Sequence, residues 1–105
     1  MINLKQEYLN ELYKIFQEYC PNAEIWAYGS RLNGDSHSGS DLDLTVKSFN
    51  EDKKYLSDLK ELLNESDIPF LIDISEYEKL PTSFQNEINR NYIKIFPMEA
   101  PENDL

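Results

Sequence analysis

The sequence holds one cysteine, one histidine and three glycines among 105 residues. With Cys20 alone, no disulfide can form within the chain and no cysteine-rich zinc site can be built. No apolar run approaches a membrane span, and residues 1–10 are polar with helical spacing, unlike the apolar stretch of a secretory signal. A reducing, cytoplasmic setting with no membrane partner is therefore expected. Positive charge is also scarce: ten Lys and Arg stand against twenty Asp and Glu, for a net charge of −10, and the only arginines are Arg31 and Arg90. An acidic surface repels phosphate backbones, so direct nucleic-acid binding is not expected. Any phosphate bound must be held locally, by backbone N–H groups or metal ions. The same charge suits encounter with a basic protein partner, although taken alone it reads first as a device for solubility.

What is present is enough for one core. The hydrophobic fraction is 40%, with seven tyrosines, five phenylalanines and one tryptophan, so the chain reads as a single folded domain over residues 1–96 with an acidic, proline-containing tail over 97–105. Leu4, Tyr8, Leu12, Ile15, Phe16 and Tyr19 recur at three- and four-residue spacing, which predicts an amphipathic helix over 3–19 with Asn3 as its N-cap and Pro21 beyond its end. Residues 24–28 (EIWAY) read as a strand running into Gly29-Ser30. Residues 41–46 (DLDLTV) alternate strictly, with Leu42, Leu44 and Val46 on one face and Asp41, Asp43 and Thr45 on the other. A second amphipathic helix is expected over 51–65, carrying Tyr55, Leu56, Leu59, Leu62 and Leu63, then a strand over 69–75 (PFLIDIS). A last helix is expected from about 82 to 92 with Phe84, Ile88 and Tyr92 on its apolar side, ahead of residues 93–96. Tyr55, Phe70, Phe84, Tyr92 and Phe96 are assigned to the core by spacing.

All three glycines lie in one segment, GSRLNGDSHSGS at 29–40, together with four serines. Their confinement there means that backbone freedom is needed at this turn and scarcely elsewhere. Directly after it, Asp41 and Asp43 stand two apart on a strand, which puts both carboxylates on one face with Cα atoms roughly 6.5 Å apart. Two anions aimed at one point repel and raise each other's pKa unless a cation lies between them. An Asp-x-Asp pair alone is more often a solvated strand edge. Here it follows a strand and a turn whose free N–H groups, if a short helix opens near Ser30, form a phosphate site. Asp73 lies in an otherwise apolar strand, where an ionised side chain is costly unless paired or metal-bound. Three carboxylates beside a phosphate site suit Mg²⁺, which takes hard oxygen ligands from a few carboxylates and substrate phosphates. Two such ions about 4 Å apart serve an in-line displacement at phosphorus.

GSRLNGDSHSGSDLDL resembles the Gly-Ser, spacer, Asp-x-Asp signature of the DNA polymerase beta type nucleotidyltransferases, and the short chain resembles their minimal branch, antitoxins paired with HEPN-type toxins. The resemblance implies an α/β (α+β) fold with a small mixed sheet flanked by helices. It implies transfer of AMP from ATP to a hydroxyl, with two Mg²⁺ ions held by Asp41, Asp43 and Asp73, the last helping to deprotonate the acceptor. Gly29, Ser30, Arg31 and Ser40 would contact the triphosphate. It further implies an acceptor tyrosine on the toxin, in a pair of the type VII kind, and no separate acceptor-binding domain on this chain, so that the acceptor is brought by a partner or a second copy.

Other patterns in the segment lead nowhere. Gly34 and Gly39 have P-loop spacing, but Ser40-Asp41 stands where Lys-Ser/Thr is required and a strand follows. Ser36, His37 and Ser38 lack the G-x-S-x-G frame of a hydrolase. Arg31 reads equally as a triphosphate contact or as a surface residue balancing Asp35. Two further functional readings stand beside the first: nucleotidyl transfer to a small molecule such as an antibiotic, and inhibition of a partner by docking alone.

Overall fold

The computed structural model describes residues 4–29, 32 and 41–97. In chain order the elements are α1 (Gln6–Tyr19), β1 (Glu24–Tyr28), β2 (Leu42–Ser48), α2 (Leu56–Asn64), β3 (Ile72–Glu76), a 3₁₀ turn (Tyr77–Lys79), α3 (Thr82–Arg90) and β4 (Tyr92–Phe96). The strands form one mixed sheet in the order β3-β2-β1-β4. β1 runs antiparallel to both β2 and β4, and β2 runs parallel to β3. A parallel pair needs a crossover connection, and α2 supplies it.

Alternation in the strands decides which side each helix covers. Ile25 and Ala27 of β1, Leu42, Leu44 and Val46 of β2 and Ile74 of β3 are buried with Leu12 and Phe16 of α1 and with Leu59 and Leu63 of α2. That face is the main core. On the other face Trp26 packs with Tyr77 and with Ile88 of α3, and Tyr28 and Phe84 join this smaller cluster. Two hydrogen bonds fix α3 against the 3₁₀ turn: Gln85 Nε2 donates to the Tyr77 carbonyl at 2.8 Å, and the Tyr77 hydroxyl donates to Asn89 Oδ1 at 3.0 Å.

Several elements begin or end differently from the sequence expectation. α1 starts at Gln6, where the Lys5 carbonyl accepts the amides of Tyr8 and Leu9 at 3.1 Å each; Asn3 lies outside the described residues. α2 starts at Leu56 rather than near 51, because the preceding acidic residue is engaged elsewhere. Asp52 accepts the Asn22 amide at 2.9 Å and the Asn22 side chain at 3.1 Å, which ties this stretch to the end of α1 as a loop. Tyr55, assigned to the core, is 72% exposed at the mouth of α2. Tyr92 belongs to β4 and not to the last helix. Its ring stacks on Trp26 with centroids 3.8 Å apart and stays 40% exposed. Phe96 is buried, and Phe70 and Phe84 are half-buried. Of the tail expected over 97–105, only Pro97 is described. No helix among the described residues is long and apolar enough to cross a membrane.

Candidate active site

Sheet register brings the carboxylates together. In the parallel β2–β3 pair Asp43 stands directly opposite Asp73, and in the antiparallel β1–β2 pair Tyr28 stands opposite Asp43. Tyr28, Asp43 and Asp73 thus form a row across three strands, with side chains on the face that α3 covers. The next row is Trp26, Thr45 and Ser75. There the Ser75 hydroxyl donates to Thr45 Oγ1 at 3.1 Å, and the Thr45 hydroxyl reaches the Ser75 carbonyl at 3.3 Å. Thr45 is fully buried, so this polar seam pins the register on which the Asp43–Asp73 juxtaposition depends.

Gly29 closes the row. Its φ is +89°, a conformation that side-chain-bearing residues rarely adopt, and a Cβ there would overlap Asp43 Oδ2. The Asp43 carboxylate therefore lies directly against the turn backbone. The Leu32 amide donates to the Gly29 carbonyl at 3.0 Å, so the chain turns immediately after β1. Ser30, Arg31 and Ser40, expected at the triphosphate, lie outside the described residues.

Burial, followed by the like charges of Asp73 and Asp41, pushes the Asp43 carboxyl above its ordinary value. Burial and then the charges of Asp43 and Asp73 raise the Tyr28 phenol, against the opposing effect of its bond with the Ser75 side chain. Asp41 precedes β2, is exposed, and lines a neighbouring cavity with Leu63, Asn64 and Ile68. Among the described residues no three His, Cys, Asp or Glu side chains stand close enough to cage a metal ion. The expected convergence of three carboxylates is thus realised as a pair, Asp43 and Asp73, with Asp41 near enough to act on Asp43 through its charge. Asp73 is exposed at the edge of the sheet, so burial within an apolar strand is not what singles it out. Its partner across the register is.

A cavity of about 390 Å³ opens over the row, lined by Tyr28, Gly29, Asp43 and Asp73 on the sheet side and by Phe84, Glu87, Ile88 and Asn91 on the helix side. Phe84 meets the Tyr28 ring edge to face at 5.7 Å. Sequence reasoning placed Phe84 and Ile88 in the core and did not single out Tyr28, Glu87 or Asn91. The i, i+3, i+4, i+7 spacing of Phe84, Glu87, Ile88 and Asn91 marks them as one helix face, but which structure that face opposes is a tertiary fact.

Residues 10–99 match the family described as polymerase beta, nucleotidyltransferase. The probable protein adenylyltransferase MntA of Haemophilus influenzae is 33% identical over 96 residues, which cover 90% of this chain and 83% of that protein. A chain in a crystal structure of a toxin–antitoxin with AMP-PNP superposes with a TM-score of 0.66 at 19% identity, over 91% of this chain and 76% of that one. That likeness shows a shared fold.

Proposed function

The chain belongs to the polymerase beta nucleotidyltransferase family and is a nucleotidyltransferase; from that premise we propose that it transfers AMP from ATP to a tyrosine hydroxyl of a HEPN-type toxin, acting as the antitoxin of the pair. The observation that carries this reading is the Asp43–Asp73 register pair, set against the Gly29 turn in one cavity. The protein acceptor is supported by the relative that is a probable protein adenylyltransferase, and the toxin by the toxin–antitoxin structure one chain of which shares the fold. The net charge of −10 suits a basic partner.

The residues present fit Mg²⁺. Like charges face each other at Asp43 and Asp73 with Asp41 adjacent, every donor is a hard carboxylate oxygen, and the Asp43 carboxyl is raised in a way that a bound cation would relieve. Asp43 and Asp73 would hold the metal, with Asp41 completing the set. Magnesium bound there supplies charge stabilisation for the displaced pyrophosphate and lowers the pKa of the acceptor hydroxyl. Gly29, having no Cβ, lets the Asp43 carboxylate lie directly against the turn backbone, where the phosphates would be held. In the transfer, the tyrosine oxygen bonds to the α-phosphorus of ATP, the bond from that phosphorus to the pyrophosphate oxygen breaks, and the phenolic proton passes to the Asp73 carboxylate. No side-chain nucleophile is required.

The test is incubation with Mg²⁺, ATP labelled at the α-phosphate and the HEPN-type toxin. Label on a toxin tyrosine, absent with Asp43→Ala though the two proteins still bind, is the expected result. Equal silencing of the toxin by wild type and Asp43→Ala without label transfer would establish docking as the mode of inhibition.

A further inference from the structure

Two walls of unlike chemistry face each other across the site. The sheet wall presents Asp43, Asp73 and the Gly29 backbone, a surface suited to cations and phosphates. The α3 wall presents the half-buried Phe84 ring, the buried Ile88 side chain and the exposed Glu87. The Glu87 side chain has no hydrogen bond or ion pair with any described residue. An unpaired carboxylate repels a triphosphate, and the carboxylates opposite it already carry the charge that metal ions would offset. The nucleotide phosphates therefore belong on the sheet side, and the α3 side is left to the second substrate.

We propose that the α3 wall is the acceptor subsite: the ring of the acceptor tyrosine lies against Phe84, and Glu87 pairs with a cationic side chain that the partner carries beside that tyrosine. This rests on the reading above, in which the acceptor is a protein. Phe84 offers a ring edge and face already oriented by its contact with Tyr28, and a phenol ring beside it gains the offset or edge-on contact that aromatic pairs favour. The rigid hold on α3, through Gln85 and Asn89 to Tyr77, keeps that surface fixed relative to the carboxylates where the new bond forms. Charge completes the argument. A partner that approaches a −10 protein and places a cation at Glu87 is oriented as well as attracted.

The experiment measures initial rates of label transfer from ATP to the HEPN-type toxin with wild type, Glu87→Gln and Glu87→Lys, varying each substrate in turn. Glu87 is exposed on a helix surface, and unchanged thermal melting of both variants checks that folding is preserved. The expected result is a KM for the toxin raised about tenfold or more in Glu87→Lys and less in Glu87→Gln, with the KM for ATP unchanged or lowered. Added salt should raise the KM for the toxin in both proteins and narrow the gap between wild type and Glu87→Gln. A KM for ATP that rises while that for the toxin stays constant would overturn the proposal and assign the wall to the nucleotide. Unchanged constants in both variants would remove Glu87 from the site. Wild type that labels no protein at all would instead bring down the protein-acceptor reading, and the subsite with it.

Discussion

Gly29 and Asp43 are packed so closely that a single carbon added to the first would overlap the carboxylate of the second. The turn and the carboxylate are thus one unit, and neither can change without the other. Gly29→Ala introduces both a strained positive φ and this overlap, so it should destabilise the fold by roughly 1–3 kcal/mol. It should also abolish transfer, because the Asp43 side chain must swing away. Denaturant unfolding and label transfer read the two effects separately.

Asp43 is held in a setting that disfavours its charge, by burial first and then by Asp73 and Asp41. A folded-state pKa above the unfolded one means that its contribution is fully present below the unfolded value and is lost as pH rises through the folded value. At neutral pH without metal, the ionised group therefore works against the fold. Asp43→Asn should raise the melting temperature of the metal-free protein, by an amount equivalent to about 1 kcal/mol or less after allowance for solvent screening, while eliminating activity. A lower melting temperature for this variant would contradict the electrostatic account.

Much of this arrangement was readable from residue order, and the reasons are local. β1 ends where expected because Gly29 stops it, and β2 shows its two faces through the alternation of Leu42, Leu44 and Val46 with Asp43 and Thr45. The pairing of Asp43 with Asp73 followed from assuming that their strands are neighbours, and the sheet makes them so. The remainder depended on contacts between distant residues. β4 was not assigned because Tyr92 stands four residues after Ile88 and so continues the apolar spacing of α3 past Asn91; what makes residues 92–96 a strand is pairing with β1. Glu87 drew no attention because a glutamate on a helix is ordinarily a solvated surface residue, and only the packing of α3 over Tyr28 turns it toward the carboxylates.

α3 is anchored through Ile88, which is 1% exposed between Trp26 and Tyr77. Ile88→Ala should cost about 2–5 kcal/mol, as large-to-small core substitutions do. If the helix also forms the acceptor wall, the loss of transfer at temperatures where the variant remains folded should exceed what its folded fraction explains. Circular dichroism melting combined with rate measurements below the transition gives the comparison.

Cys20 is fully buried and its thiol is pushed up to about 11, chiefly by burial and then by the charge of Asp52. Its pKa is raised on folding, so its contribution is intact below the unfolded value near 9 and is lost as pH climbs from there to about 11. Stability should fall across that window for wild type and less for Cys20→Ala, measured relative to each protein at pH 8. Alkylation by iodoacetamide at neutral pH should be negligible in the native protein and complete after unfolding.

The central claim is that Asp43 and Asp73 act together as one cation site beside the Gly29 turn. Titration of Mn²⁺, as a spectroscopic substitute for Mg²⁺, into the protein with a non-hydrolysable ATP analogue and detection by electron paramagnetic resonance tests it most directly. Asp43→Asn and Asp73→Asn should each weaken binding of the ion by about tenfold or more, and the double variant should be little worse than either. Wild-type affinity in Asp73→Asn would contradict the account, because the register pair would then hold nothing in common.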